Sequence, residues 1–359
     1  MYTTQIIAEI GVNHNGSLEM AKKLIDKAIQ CKVDTVKFQV GDPKNVIAPI
    51  APKANYQKQN TGVDESQLEM VEKIVLKSED YKVLHDYCKK KKVEFLATPF
   101  DKASVKFLSE DLSLDTLKIA SGEITNYELL YECAKTNKNL IISTGMSKLF
   151  EIREALDFLM FCYLYPDLIP NSKNIKESHT PKEYSRVLGN KITLLHCTTE
   201  YPAPLDSINL NAMTTIRKTF GLPVGLSDHS SGIEASLAAI SLGAKIIEKH
   251  FTLDKNLPGP DHIASLTPNE LRNLVKGVRK VEKILGSKEK SPQKVELENI
   301  KIARRSIFAC RQIKKGDIFT NENITCKRPA TGICSTRYWD IIGKRATRDF
   351  NENEQIVHE

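Results

Sequence analysis

Short apolar runs alternate along the chain with stretches in which apolar residues recur at helical spacing. The runs lie at 5–10, 35–39, 93–98, 116–120, 139–144, 192–197, 223–227 and 245–249. Most are rich in Val, Ile and Leu, as strands covered on both faces must be. The first helical stretch, 17–31, carries Leu18, Ala21, Leu24, Ile25, Ala28 and Ile29 on one face. Ser17, after Asn15 and Gly16, supplies its N-cap. Eight strand–helix units in about 250 residues are the count and size of a (β/α)8 TIM barrel. A doubly wound sheet is the structural alternative. It would carry a Gly-rich phosphate turn, and no G-x-G-x-x-G or Walker sequence follows the first strand.

Two stretches break the pattern. Residues 161–190 are too long and polar for a routine connection and read as a surface excursion that modulates access or assembly. Residues 286–300 are rich in Lys, Glu and Ser and read as a linker. This divides the chain into a barrel domain (1–285), a linker (286–300) and a small β-rich module (301–359). Within the module, Ala309-Cys310-Arg311-Gln312-Ile313 echoes Ala346-Thr347-Arg348-Asp349-Phe350.

Composition narrows the class. Of 359 residues, 41% are apolar and 27% charged, a balance that excludes a disordered chain. No run approaches the roughly 18 apolar residues of a membrane span, and the first residues lack the basic and small-residue marks of a secretory signal. The expectation is a cytoplasmic protein without membrane partners. The eight cysteines form no C-x-x-C pair and read as reduced, packed thiols. The net charge of +7 is spread among Glu-bearing helix faces, which excludes a nucleic-acid stripe.

Candidate chemistry lies where a barrel keeps it, at the C-terminal ends of the strands. Those ends hold Glu9, Lys37, Gln39, Thr98, Lys118, Ser121, Glu123, Ser143, His196, Tyr201, Ser227, Asp228, His229, Glu248 and His250. Charges beside buried strands need partners or ligands. Lys37, Lys118, Ser121, Ser143 and Ser227 are cations and hydroxyls converging as phosphate or carboxylate recognition requires. His229 and His250 end neighbouring strands and could share one divalent metal, or simply be hydrogen-bonded strand-end residues. Glu9 and Glu123 are candidates for proton transfer or hydroxyl binding.

These residues sit in motifs that closely resemble the sialic acid synthase family of N-acetylneuraminate, legionaminate and pseudaminate synthases. The motifs are AEIGVNHNGS (8–17), VKFQ (36–39), ATPFD (97–101), KIASGE (118–123), STGM (143–146), LLHCTTEYPAP (194–204), GLSDHSSG (225–232), EKHFTLDK (248–255) and PGPDH (258–262). The stretch TCKRPATGI (325–333) resembles the family's antifreeze-like (SAF) domain. The resemblance implies condensation of phosphoenolpyruvate with an N-acylated hexosamine, giving a nine-carbon 2-keto sugar acid and phosphate. It implies that His229 and His250 ligate Mn2+ or Mg2+. It makes Lys37, Thr98, Lys118, Ser121, Ser143, Tyr201 and Ser227 phosphoenolpyruvate contacts. Glu9, Gln39, Glu123 and Asp261 would then lie near the sugar and the attacking water, with Glu123 as general base. Arg328 would reach the sugar's acyl group across a domain-swapped homodimer.

Thr199 departs from an asparagine that some members place against the phosphate. The segments 41–45 and 51–57, with EKHFTLDK, tilt the acceptor toward the neuraminate or legionaminate type, with the pseudaminate type as alternative. Two other classes compete. A Schiff-base pyruvate aldolase would use Lys118 or Lys249. A non-catalytic sugar or ice binder would have little need of so many ionisable strand ends.

Overall fold

A computed structural model describes residues 4–177 and 183–357. It separates into two units, one running through Gly286 and the other beginning at Ser287.

The first unit contains eight parallel strands: β1 Gln5–Gly11, β2 Thr35–Val40, β3 Glu94–Pro99, β4 Thr116–Ile119, β5 Asn139–Ser143, β6 Ile192–Cys197, β7 Val224–Asp228 and β8 Ile246–His250. Their order, β3-β2-β1-β8-β7-β6-β5-β4, is that of a barrel, with β3 and β4 facing across the one unladdered seam. A helix follows each strand: α1 Leu18–Gln30, α2 Ser78–Lys91, α3 Lys102–Lys106, α4 Tyr127–Lys135, α5 Leu149–Leu164, α6 Asn211–Phe220, α7 Glu234–Ser241 and α8 Pro268–Leu285. This is the TIM barrel that the alternation predicts, and each strand boundary falls within a residue or so of its expected place.

Local chemistry explains the helix starts. Ser17, Asp101 and Asn126 each accept a hydrogen bond from a first-turn amide, and Thr267 with Glu270 closes a capping box on α8. Helix α8 buries Leu271, Leu274, Val275 and Val278, an i, i+3, i+4, i+7 stripe against the barrel. Arg279 on α8 donates to the Thr4 carbonyl and to Asp34 at 2.7 Å each, tying α8 to the base of β1 and β2.

Period-two alternation sorts the strand residues into two faces. Outward residues such as Ile6, Val36, Leu117, Ile142, Leu194, Leu226 and Ile247 join the core beneath the helices. Inward, Ile7, Leu96, Ile141, Leu195 and Ile246 form a separate apolar plug. Gly225 belongs to that inner layer: a Cβ there would collide with the Ile246 carbonyl and come within 2.7 Å of Leu195.

The same alternation corrects two strand-end candidates and one of the lysines of the aldolase alternative. His196, Asp228 and Lys249 face outward, away from the barrel interior. His196 Nε2 lies 2.7 Å from the Ile208 carbonyl. Lys249 pairs with Asp228 at 3.0 Å and donates to the Ser230 carbonyl at 2.6 Å, both side chains fully buried. Asp228 also accepts from Ser230 and Ser236.

The expected 161–190 excursion is shorter than the sequence suggests. Helix α5 continues to Leu164 and buries Phe161 and Cys162. Tyr184 and Leu188 are buried as well, so both ends of the stretch belong to the core. Residues 178–182 lie outside the described residues.

In the second unit, β9 Ser306–Ala309 pairs antiparallel with β10 Ile324–Lys327 over a core of Ile307, Ile313, Phe319, Ile324, Ile333 and Phe350. The two echoing segments meet each other: Ile313 and Phe350 exchange both backbone hydrogen bonds, at 2.9 and 2.8 Å. A helix, Leu297–Ala303, occupies part of the expected linker.

Lys249→Met leaves Asp228 buried without its counter-charge and should cost about 3–5 kcal/mol in urea unfolding. Pairing it with Asp228→Asn should recover much of that loss.

Candidate active site

Above the apolar plug each strand contributes one inward polar residue: Glu9, Lys37, Thr98, Lys118, Ser143, Cys197, Ser227 and Glu248. All eight are buried. A layer of this kind is costly in a barrel interior unless each member has a partner.

The partners are charges of opposite sign. Lys37 Nζ lies 3.0 Å from Glu9, 3.5 Å from Glu248 and 3.3 Å from the Thr98 hydroxyl. Lys118 Nζ lies 2.5 Å from the Ser143 hydroxyl, 3.1 Å from the Ile119 carbonyl and 3.8 Å from Glu248. Ser227 donates to Glu248 at 2.9 Å. Burial works to raise the Glu248 pKa, but the Lys118 and Lys37 ammoniums and the Ser227 hydroxyl outweigh it and hold the carboxyl at about 2. Burial dominates at Glu9 and pushes it up despite Lys37, with the neighbouring Glu248 adding to the rise. Burial also opposes the Lys37 charge, yet Glu248 and Glu9 hold its pKa above the usual value. At Lys118 burial prevails and the pKa is lowered. Two lysine side chains and three hydroxyls brought to one mouth are a donor set suited to an anionic ligand.

Beside this ring stand the histidines. His229 and His250 have ring centroids 5.5 Å apart, with Tyr201 at 4.1 Å from the first and 5.4 Å from the second. His229 Nδ1 donates to the Thr198 carbonyl at 2.7 Å, which leaves Nε2 as a lone pair near Ser227 at 3.1 Å. His250 Nδ1 is buried with no hydrogen-bond partner and lies 3.7 Å from Asp261. Burial holds both imidazoles neutral: His229 is lowered to about 4, and His250 well below its ordinary value with the His229 ring adding to the shift. Asp261 is pushed up to about 7 by burial and by Glu9. Among the described residues, no three His, Cys, Asp or Glu side chains gather as a metal cage.

A third group surrounds Gly145. Its amide donates to Ser121 Oγ at 3.1 Å, and Ser121 lies 3.0 Å from Cys197 Sγ. A Cβ on Gly145 would fall 2.8 Å from each of these atoms and would collide with Thr199 Oγ1. Thr199 Oγ1 is buried and has no partner. The space beside this glycine is therefore lined by a hydroxyl with unused hydrogen-bonding capacity.

A cavity of about 480 Å3 lies at the mouth, with Gln39, Glu123, Thr199, Tyr201, His250 and Asp261 among its lining residues. Gln39 donates to Glu9 at 3.0 Å. Glu123 sits half-buried in the turn Ser121–Glu123 and accepts from Asn126 at 2.7 Å. The loop after β8 is pinned by Asn15, which donates to the Pro258 carbonyl, and by Asn60, which donates to the Pro260 carbonyl.

The structure thus gathers Glu9, Lys37, Gln39, Thr98, Lys118, Ser121, Glu123, Ser143, Tyr201, Ser227, His229, His250 and Asp261 at one barrel mouth. Arg328 belongs to the second unit, exposed just after β10. Glu248, Cys197 and Tyr56 are the residues the sequence reading left without a role. Glu248 was legible in principle, since it alternates with Ile246 and His250. Tyr56, its ring tilted against Tyr201 with centroids 4.9 Å apart, comes from a long connection with no periodicity to place it.

Acid should unfold the barrel through its histidines. Burial holds His14, His229 and His262 each at about 4, against 6.5 ordinarily. Between those values the unfolded chain binds protons that the folded chain does not, so stability falls as pH drops. Asp261 acts in the opposite sense, contributing stability in acid that is lost as pH rises from 3.8 toward 7. His250, lowered further still, joins the histidine side and Glu9, raised by burial, joins Asp261, so the histidines outnumber the raised carboxyls and stability should fall on balance between pH 6.5 and 4. Urea unfolding in metal-free buffer checks this, and His14→Asn should remove about one proton of slope.

Comparison with known proteins gives the site a context. The NeuB family model matches residues 24–290, and the SAF domain model matches 304–358. N,N'-diacetyllegionaminic acid synthase of Campylobacter jejuni is 49% identical over 99% of both chains. The Legionella pneumophila protein of the same name is 40% identical over 99% of this chain and 94% of its own. Among solved structures, the N-acetylneuraminic acid (sialic acid) synthetase of Leptospira borgpetersenii, in complex with citrate, superposes with a TM-score of 0.66 at 32% identity, covering 83% of this chain and 90% of that one. On the extent of these matches, the chain belongs to the NeuB family.

Proposed function

We propose that this protein condenses phosphoenolpyruvate with an N-acylated hexosamine, producing a nine-carbon 2-keto sugar acid and inorganic phosphate. The observation that carries the reading is the buried ring in which Lys37 and Lys118 face the ionised Glu248, with the Thr98 and Ser143 hydroxyls beside the lysines and Ser227 on the carboxylate. That ring offers charge-assisted donors to a small polyanion in a site shielded from water. The Gly145 recess, with Ser121 and the unpartnered Thr199 hydroxyl, suits the phosphate end.

In this reading the enol C3 forms a bond to the acceptor's aldehyde carbon as its C=O π bond opens to an alkoxide that takes up a proton. Water adds to the cationic C2, and the new C2 hydroxyl gives up its proton as the C2–O bond to phosphate breaks, leaving the ketone and inorganic phosphate. Glu123, at the cavity edge, takes the water's proton as general base. Gln39, Glu9 and Asp261 orient the acceptor and the water. His229 and His250 would hold a divalent cation, Mn2+ or Mg2+, which when bound polarises the aldehyde oxygen. Support for that assignment comes from the His250 Nδ1, buried without a partner, and from the free lone pair on His229 Nε2. Two imidazoles leave the other coordination positions to substrate oxygens and water.

The Schiff-base alternative loses one of its lysines, since Lys249 is locked to Asp228 outside the barrel. A cytoplasmic setting is supported by the eight cysteines, all of them free thiols. Among the described residues no helix is long and apolar enough to cross a membrane. We further propose a domain-swapped homodimer in which Arg328 from one chain contacts the sugar's acyl group in the other's site.

Phosphate release from phosphoenolpyruvate with Mn2+ tests the reaction, using N-acetylmannosamine and 2,4-diacetamido-2,4,6-trideoxymannose as acceptors. Release should require an acceptor, stop with EDTA and survive borohydride with pyruvate. Release that ignores EDTA would remove the metal assignment. For the dimer, Arg328→Ala should raise the KM for the sugar several-fold more than the KM for phosphoenolpyruvate. Unchanged sugar kinetics would remove the role in trans.

A further inference from the structure

The ring residues Glu9, Lys37, Thr98, Lys118, Ser143, Ser227 and Glu248 are tied to one another through Lys37, Lys118 or Glu248. Cys197 is tied elsewhere. It ends β6, in register with Ser227 of β7, and its side chain is buried. Its Sγ lies 3.0 Å from Oγ of Ser121, the first residue of the turn after β4. The same Ser121 oxygen accepts the Gly145 amide from the turn after β5, at 3.1 Å. Three neighbouring strand ends thus converge on one hydroxyl.

The Gly145 side of this contact is fixed. Thr144 donates to the Leu195 carbonyl through its amide at 2.9 Å and through its hydroxyl at 3.0 Å, which ties the turn to β6. Met146, on the other side of the glycine, is held at φ 63°. A residue with a side chain keeps that conformation only where its surroundings impose it.

The hydrogens on Ser121 can be counted. A hydroxyl has one proton to give and two lone pairs to fill. Gly145 N–H fills one pair. Toward Cys197 the contact can run from hydroxyl to sulfur or from thiol to oxygen. Sulfur is a weak acceptor, and an anion takes a hydroxyl proton far more strongly. Burial raises the Cys197 pKa against the Ser121 contact and the Lys118 ammonium, so the thiol keeps its proton. That proton is available for the second lone pair. With both pairs filled, the serine's own proton is left to point into the recess beside Gly145, which the Thr199 hydroxyl also borders.

Resting on the functional reading above, we propose that Cys197 is a positioning residue for the phosphate end of phosphoenolpyruvate. Its thiol donates to Ser121 and so directs the serine hydroxyl at a phosphate oxygen. Cys197 acts through Ser121 and makes no contact with the substrate itself.

Steady-state phosphate release by the full-length enzyme with Mn2+ tests this, using N-acetylmannosamine and 2,4-diacetamido-2,4,6-trideoxymannose as acceptors. Cys197→Ala should raise the KM for phosphoenolpyruvate about three- to tenfold, the scale of one lost neutral hydrogen bond, with the KM for the sugar within twofold of wild type. The inhibition constant of inorganic phosphate against phosphoenolpyruvate should rise by a similar factor. Cys197→Ser, which keeps a donor in place, should recover most of the loss. Ser121→Ala should raise the same KM at least as much, and adding Cys197→Ala to it should change it by less than about twofold. Effects that multiply in the double variant, an unmoved KM in Cys197→Ala, or both KM values rising together would overturn the positioning role while leaving the reaction standing. Release with neither sugar in the wild type overturns the reaction and the positioning role together.

Discussion

Everything at the active end of this barrel depends on holding two lysines and two glutamates inside a parallel sheet. Lys37 bridges Glu9 and Glu248, and Lys118 faces Glu248 from the other side. Ions taken from water need both opposite charges and hydrogen bonds to be tolerated. Thr98, Ser143 and Ser227 provide the latter from three other strands. Because each strand donates one member, the ring forms only when the barrel closes. The apolar plug of Ile7, Leu96, Ile141, Leu195 and Ile246 beneath it keeps water from entering below.

The ring also sets the electrostatics of what surrounds it. Glu248 remains ionised beside two ammoniums, while burial pushes Glu9 and Asp261 toward their neutral forms. One carboxyl held strongly acidic and two pushed upward thus share one mouth, an arrangement suited to separating charge stabilisation from proton transfer. The imidazoles are kept neutral by the same burial, which leaves their lone pairs unprotonated. Ionisable groups line one arc of the cavity, and residues of the β2–α2 connection line another.

The outer face of the sheet shows the opposite use of the same residue types. Lys249 and Asp228 lie next in sequence to Glu248 and Ser227, yet they pair beneath the helices and take no part in the mouth. One residue of offset separates an ion pair beneath the helices from those inside the barrel. The small second unit follows a simpler rule, its two similar segments pairing through Ile313 and Phe350.

By itself the sequence determined the barrel, because eight buried apolar runs alternating with amphipathic helices admit few other closures. It determined the strand-end set as well, since motifs such as KIASGE and EKHFTLDK place polar residues where strands stop. Alternation even implied which of those residues face inward: Glu248 and His250 share a face with Ile246, while Lys249 does not. Tertiary structure alone decided the partners. Residues as far apart as Lys37 and Glu248 meet only because β1 brings β2 and β8 together. It alone decided that Phe161, Tyr184 and Leu188 are core and not part of an exposed excursion. It alone brought Tyr56, Val71 and Ile74 to the mouth, because a long aperiodic connection is positioned by its anchors, here Lys53 and Asn60, and not by any repeat in its own residues.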